Sequence, residues 1–115
     1  MSDIYKPTSR FMYLGRAELP DDPELVRDWN DWSLNTHVPE LLAAPGFRSA
    51  VRMRELDRTQ AFVTGYEIDG PEAVKTQEYF NAIAPHRFTP LIKNVSRTLY
   101  QVTAVDPWAD LEANS

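Results

Sequence analysis

The sequence predicts an α+β domain of the ferredoxin-like kind, in which two helices cover one face of a four-stranded antiparallel sheet. Three observations support this prediction. The chain of 115 residues has the length of one domain with a single core. Four segments show the apolar patterns of strands, and two segments show the start signals and spacing of helices. The predicted element order is βαββαβ.

Composition and charge exclude several classes of function. The net charge of −5 argues against a nucleic-acid partner, because phosphate binding requires clustered Lys and Arg. No apolar run approaches the ~20 residues of a membrane helix, and the N-terminus lacks a secretory signal pattern, so we expect a cytoplasmic protein without membrane contact. With no cysteine, only two histidines and no glycine-rich phosphate loop, the chain is expected to use no cofactor and to hold no metal.

The first two elements have clear signals. Residues 1–9 lack periodicity and are predicted to form an N-terminal arm, while the domain is predicted to span residues 10–105. Residues 10–17 carry apolar side chains on both alternating faces, as in a strand that is buried on two sides. Asp22 then supplies a helix N-cap and Pro23 the first helical position.

One face of the first helix is predicted to pack against the sheet. At helical spacing it carries Leu25, Trp29, Trp32 and Thr36, with Val26, Ser33 and His37 beside them. Pro39 is expected to break or kink the helix, because proline removes a backbone hydrogen bond and clashes with the preceding turn. A last turn is expected over residues 40–42.

The remaining elements follow from similar patterns. They are a strand over residues 47–56, a strand over 60–68, a helix over 73–84 and a strand over 96–105. Residues 86–93 are apolar for a loop, and Pro85 and Pro90 argue against a long regular helix there. This stretch is expected to cover a cavity. Residues 106–115 are predicted to form a C-terminal tail, in which Trp108 requires a place to bury.

The sheet face away from the helices is also predicted to need cover. In the first strand Phe11 and Tyr13 alternate with Met12 and Leu14, so large side chains point to both faces. A two-fold interface is self-complementary and can cover such a face in both copies at once. The sequence therefore predicts a homodimer that forms through the sheets.

Residues 32–47, WSLNTHVPELLAAPGF, resemble the pattern Trp-Tyr-Asp-x-Glu-His-hydrophobic-Pro-Glu-Leu-Leu-x-x-Pro-Gly-Phe of EthD-like proteins in the dimeric α/β-barrel superfamily. The predicted element order agrees with that superfamily over nearly the whole domain. Leu34 and Thr36 stand where the pattern has an aspartate and a glutamate, so His37 lacks two carboxylate neighbours. The resemblance implies a dimeric α/β barrel with His37 at the mouth of a cleft between helices and sheet.

Two histidines are candidate proton carriers, because imidazole titrates near neutral pH. His37 is the first, with capping of the helix end as the alternative role. His86 is the second. Polyketide cyclases of the superfamily are similar in having a catalytic tyrosine on the second helix and a histidine just beyond it, and Tyr79 and His86 match that pair with a spacing one residue longer. The candidate catalytic residues are His37, His86 and Tyr79.

Aromatic and polar residues are the candidates for substrate binding, namely Tyr13, Trp29, Trp32, Ser33, Tyr66 and Tyr100. A tyrosine hydroxyl donates to a carbonyl or a developing oxyanion, and Tyr66 and Tyr100 are predicted to face the helices. Flat tryptophan walls suit a flat aromatic or polyketide-like compound. Packing in the core is the alternative role for all of these aromatic residues.

Three arginines on the predicted second strand have two possible roles. Arg48, Arg52 and Arg54 can bind a carboxylate or an enolate oxygen of a ligand. Alternatively, they form ion pairs across the sheet with Glu55, Asp57 or Glu67.

Several functions remain open, because this fold supports many chemistries. The first is a cofactor-independent isomerase, cyclase or lyase that uses general acid–base chemistry on a small hydrophobic carbonyl compound. The second is a monooxygenase or haem-handling protein on the same fold. The third is a non-catalytic accessory protein that binds a small hydrophobic ligand in the cleft.

Overall fold

A computed structural model describes residues 10–57, 60–105 and 109–110. In chain order its elements are β1 (Phe11–Glu18), α1 (Pro23–Trp32), a π-helical turn (Ser33–His37), α2 (Val38–Leu42), β2 (Phe47–Arg54), β3 (Ala61–Ile68), a 3-10 turn (Pro71–Lys75), α3 (Gln77–Ala82), β4 (Lys93–Gln101), β5 (Ala104–Val105) and β6 (Ala109–Asp110). The first four strands form an antiparallel sheet in the order β2-β3-β1-β4, and the helices pack on one face of it. This architecture confirms the predicted ferredoxin-like α+β fold.

The first helix begins as predicted, but it widens at its centre instead of breaking. The Asp22 carboxylate accepts hydrogen bonds from the backbone N–H groups of Glu24 and Leu25. Ahead of Pro39 the chain forms the π-helical turn, in which the Val38 N–H donates to the Ser33 carbonyl. A wider turn accommodates the proline ring, so the helix continues through α2.

The π-helical turn changes which side chains face the sheet. Residues five apart lie about 140° apart around a regular α-helix, whereas a wider turn brings them closer together. Trp32 and His37 accordingly stack, with ring centroids 5.0 Å apart. Thr36 is exposed, so its predicted position on the tryptophan face is wrong. That prediction assumed an α-helical period that the turn does not keep.

The second predicted helix is divided into two segments. Thr76 has an extended backbone between the 3-10 turn and α3, and its hydroxyl accepts a hydrogen bond from the Tyr79 N–H at 3.1 Å. A single helix over residues 73–84 is therefore wrong, because Thr76 caps a new helix instead of continuing the old one. Across the described ranges, no helix has the length and apolar character needed to cross a membrane.

The C-terminal part of the domain also differs from its prediction. Strand β4 begins three residues before the predicted strand and ends at Gln101. Strands β5 and β6 pair with each other, so a short hairpin extends into the predicted tail. The predicted arm over residues 1–9 and the side chain of Trp108 lie outside the described residues.

The main core lies between the sheet and the helices. Tyr13 and Tyr66 are cross-strand partners with stacked rings 5.8 Å apart, and Phe47 packs edge-on against both. Leu41 and Ile68 are buried in the same cluster. Burial of each such large apolar side chain contributes about 1.5–3 kcal/mol, so this cluster fixes the helices on the sheet.

The opposite face of the sheet is exposed in the single chain. Val51, Met53 and Tyr100 are respectively 44%, 42% and 49% exposed. Tyr100 pairs with Met12, the neighbour of the core residue Tyr13, so strand alternation places Tyr100 on this outer face. The prediction that Tyr100 faces the helices is therefore wrong. Residues 99 and 100 are both apolar, so the sequence does not indicate which face of β4 is the inner one.

Candidate functional site

A cleft opens between the first helix, the loop after α3 and the inner face of the sheet. It contains about 630 Å³ of empty space, including its open mouth. Seven of the nine predicted site residues line it: Tyr13, Trp29, Trp32, Ser33, His37, Tyr66 and His86. Tyr79 and Tyr100 do not line it, whereas Gly15, Thr64 and Arg97 do, although no role was predicted for them.

Trp32 brings the two histidines together. The ring of His37 lies nearly parallel to its indole, with an interplanar angle of 17°, and the ring of His86 lies 4.2 Å from it, centroid to centroid. The two imidazole centroids are 6.1 Å apart. Phe88 packs against the same indole at 5.4 Å. Two proton carriers that are distant in the sequence therefore share one wall of the cleft.

Both histidines are held in the neutral form. Burial lowers the pKa of His37 to about 4, and the charges of Arg97 and Arg52, together with that of His86 when it is protonated, act in the same direction. Burial, followed by the charge of Arg97, also lowers the pKa of His86. A neutral imidazole keeps one unprotonated nitrogen that can accept a proton. The pair is therefore available for base chemistry near neutral pH.

A backbone hydrogen bond fixes the tautomer of His86. The N–H of Phe88 donates to its Nδ1 at 3.2 Å, and the N–H of His86 itself donates to Thr89 Oγ1 at 2.9 Å. With Nδ1 acting as an acceptor, the neutral ring carries its hydrogen on Nε2. His86 is consequently a hydrogen-bond donor at Nε2, and among the described residues His37 is the one of the pair whose acceptor nitrogen makes no hydrogen bond.

The tyrosines of the site do not have equal access to a ligand. The hydroxyls of Tyr13 and Tyr79 are 2.9 Å apart and bond to each other within the core. Tyr79 therefore contacts the cleft wall through Tyr13 and does not face the cleft itself. Burial raises the pKa values of Tyr13 and Tyr66 well above the usual value, so both stay protonated. Tyr66 is the better placed phenolic donor of the predicted set.

Arg52 lies beneath the first helix and bonds only to neutral groups among the described residues. Its Nε donates to Thr64 Oγ1 at 2.9 Å, one Nη donates to Asn30 Oδ1 at 2.8 Å, and the other donates to Ser33 Oγ. Its guanidinium carbon lies 4.8 Å from the ring centroid of Trp29. Burial lowers the pKa of Arg52, as expected for a cation taken out of water.

The ion pairs differ from the predicted pairs. Arg48 pairs with Asp69, and Glu55 pairs with Arg16, which also reaches Glu18 at 2.7 Å. Neither Asp69 nor Arg16 was predicted to take part in these pairs. The predicted ion pair of Arg52 is wrong, because the register of the strands and not their sequence proximity decides which charges meet.

The residues that sequence analysis missed share one row across the sheet. The strand register aligns Arg52, Thr64, Gly15 and Arg97, in that order, across all four strands. A Cβ atom at Gly15 would find no heavy atom within 4 Å, so the row is open above its centre. A glycine inside an apolar strand often marks a close approach to a ligand. Gly15 was therefore the available signal for the floor of the cleft.

Solved proteins of the antibiotic biosynthesis monooxygenase-like and EthD groups share this architecture. No family model and no curated protein matches the chain. A candidate antibiotic biosynthesis monooxygenase from Deinococcus radiodurans has a TM-score of 0.61 at 12% identity, covering 83% of this chain and 94% of that chain. An EthD family protein from Bacillus halodurans has a TM-score of 0.57 at 17% identity, covering 79% and 96%. These similarities confirm the predicted fold.

Two further similar structures belong to an oxygenase and to a protein that binds a metalloporphyrin. SnoaB from Streptomyces nogalater, a cofactor-independent oxygenase, has a TM-score of 0.58 at 16% identity, covering 84% of this chain and 96% of that chain. A variant of MhuD with two manganese protoporphyrin IX molecules bound per active site has a TM-score of 0.59 at 18% identity, covering 83% and 96%. At such identities the similarity shows the fold, and the chemistry must be argued from the cleft.

The low pKa of His37 predicts that acid destabilises the fold. This pKa is about 4 in the folded chain, whereas an unperturbed histidine side chain has a pKa of 6.5. Between these values the unfolded chain binds more protons, so the free energy of unfolding falls as pH drops through this window, and the effect vanishes above it. Urea denaturation at about pH 7.5 and about pH 5 should show a larger loss of stability for the wild type than for His37→Gln. Equal losses would contradict the burial of a neutral His37.

Pro39→Ala tests whether the proline maintains the π-helical turn. Alanine restores an N–H and removes the ring, so the segment is expected to relax to an α-helix and to separate His37 from Trp32. The pKa of His37, measured from the NMR titration of its ring protons, should rise toward 6.5, while the melting temperature does not fall. A pKa that stays near 4 would show that the turn does not depend on Pro39. Glu40→Ala, next to it and exposed, is the control.

Proposed function

We propose that the protein is a cofactor-independent enzyme that removes a proton from a small, flat, hydrophobic carbonyl compound in the cleft. The observation that carries this proposal is the pair of neutral imidazoles on Trp32, in a cleft that Arg97 also lines. A base that is unprotonated near neutral pH and a cation beside it are the two groups that enolate formation requires.

The proposed step uses the two histidines differently. His37 takes a proton from the carbon next to the carbonyl group, and the electron pair of the broken C–H bond moves onto the carbonyl oxygen to form an enolate. Arg97 and the Nε2–H of His86 stabilise that oxygen. Return of the proton to a different carbon isomerises the substrate, whereas attack of the enolate carbon on a second carbonyl group closes a ring.

A second candidate, a monooxygenase, shares the same first step. An enolate conjugated with an aromatic ring donates an electron to molecular oxygen more readily than the parent ketone does. The description of SnoaB as a cofactor-independent oxygenase, on a similar fold, favours this candidate. The two candidates differ in what the enolate meets next, so oxygen uptake separates them.

Haem handling is the alternative that the MhuD similarity supports. Neutral imidazole is the form that ligates haem iron, and His37 fits that role because its nitrogens form no hydrogen bond within the described residues, whereas Nδ1 of His86 is already bonded. The iron would supply the redox chemistry. Within the described ranges, no group of three or more His, Asp or Glu side chains is arranged to hold a metal ion.

The catalytic proposal predicts accelerated exchange of carbon-bound protons. With 2-tetralone as a flat carbonyl probe in heavy water, NMR should show deuterium entering next to the carbonyl group faster with the protein present. His37→Gln should slow this exchange by about 10²–10⁴-fold, and His86→Gln should slow it less. Asn35→Gln, on the exposed side of the same turn, should leave the rate unchanged.

Two further measurements with the same proteins separate the alternatives. Oxygen uptake under air would identify the monooxygenase, and a Soret band that appears with haemin and is lost in His37→Gln would identify haem handling. Binding of the probe without exchange would contradict catalysis and favour a non-catalytic accessory protein.

We also propose that a second copy of this chain covers the outer face of the sheet. Val51, Met53 and Tyr100 form an exposed apolar patch there, and the Arg16–Glu55 ion pair lies at its edge. An apolar centre with a polar rim is the usual composition of a homodimer interface. The two copies would meet through the same face about a two-fold axis.

The dimer proposal predicts a mass near twice 13.2 kDa by light scattering. Val51→Glu places a charge in the proposed interface and should yield monomers with the same circular dichroism. Leu34→Glu is the matched control, because Leu34 is equally exposed but lies on the helix side. A wild type that is a folded monomer at micromolar concentration would contradict the proposal.

A further inference from the structure

We propose that the cleft contains a subsite for a carboxylate, formed by the hydroxyl groups of Ser33 and Thr64 and backed by the partly buried guanidinium of Arg52. This inference rests on the proposed function, because it names the substrate class for the same cleft: flat carbonyl compounds that also carry an acid group. The reacting carbonyl would lie toward Arg97, on the other side of Gly15.

The two ends of the cleft follow from the cross-strand row. Arg52 lies on one outer strand and Arg97 on the other, with Thr64 and Gly15 between them. Four adjacent strands at about 4.8 Å spacing separate the outer backbones by roughly 14 Å. A ligand that lies across this row over Gly15 therefore meets the hydroxyl groups held by Arg52 at one end and the guanidinium of Arg97 at the other. Arg97 lines the cleft at the end of the row away from Arg52, and we assign the reacting carbonyl to that end.

Arg52 orients the hydroxyl groups of Ser33 and Thr64 so that each can donate a hydrogen bond to a ligand. Ser33 Oγ and Thr64 Oγ1 each accept a hydrogen bond from the guanidinium, so the hydrogen of each hydroxyl remains to be donated elsewhere. Both residues line the cleft, and Ser33 is almost fully buried. Two donors of this kind match the two oxygens of a carboxylate, and a cation behind them strengthens both bonds.

The charge balance of this region also points to an anionic ligand. Arg52 is partly buried and packs over the ring of Trp29, and among the described residues it has hydrogen bonds to neutral acceptors and no carboxylate partner. Within the described part of the chain, the lining of the cleft includes Arg97 and two histidines but no aspartate or glutamate, and the charge of Arg16 is already paired with Glu18 and Glu55. Partial burial makes the positive charge of Arg52 more costly than it would be in water, although the chain as a whole carries a net charge of −5. A ligand carboxylate would supply the missing negative charge.

A matched pair of probes tests the subsite. 2-Naphthoate and 2-naphthamide have the same ring system and differ in one acid group, and calorimetry measures both dissociation constants. The wild type should bind naphthoate at least about tenfold more tightly. Thr64→Val and Ser33→Ala should each reduce this preference to less than about threefold, whereas Thr64→Ser retains it. Arg97→Gln, at the other end of the row, should also retain it.

The possible failures are distinguishable. Equal affinity for the two probes in the wild type, or no binding of either, would overturn the subsite, as would a preference that only Arg97→Gln removes. His37→Gln should keep the preference for naphthoate while it slows proton exchange. A retained preference with no exchange in the wild type would sink the catalytic function and leave the subsite standing.

Discussion

The stacking of His37 on Trp32 is the interaction on which the cleft depends. These residues are five apart, a spacing that a regular α-helix directs to different sides, and the π-helical turn before Pro39 brings them together. Stacking buries the imidazole, and burial keeps it neutral. His86 packs against the same indole from the loop after α3. A local change in helix pitch therefore determines both the position and the protonation state of the proposed base.

Positive charge is the second constraint on the site. Arg52 bonds to neutral groups beneath the helix, and Arg97 contributes to the lowered pKa of both histidines. Burial is the main cause of the lowered pKa of both imidazoles, and the positive charges add to it. With no carboxylate among the described lining residues, these charges favour an anion in the cleft. The same electrostatic arrangement thus supports a neutral base and the stabilisation of a negatively charged oxygen.

Much of the fold could be predicted because strands and helix starts have local signals, such as the alternation in β1 and the Asp22-Pro23 pair. Seven site residues were predicted because aromatic and titratable residues clustered on one helix and its partner strands. The π-helical turn could not be predicted, since it carries no residue signature beyond a proline that equally suits a break. The face of Tyr100 and the role of Arg97 depend on strand register, which the two-sided apolar pattern of β4 leaves undetermined.

Gly15 is a position at which a larger side chain could be added without a clash. A side chain added there would project into empty space instead of into packed neighbours. Its size would subtract directly from the room above the sheet, while the aromatic cluster around Tyr13 and Tyr66 would remain intact. A substitution at this position would therefore change the room in the cleft without disturbing the packed core. During evolution, substitutions at this one position could alter the size of molecule that fits the cleft, with little selection against them for loss of stability.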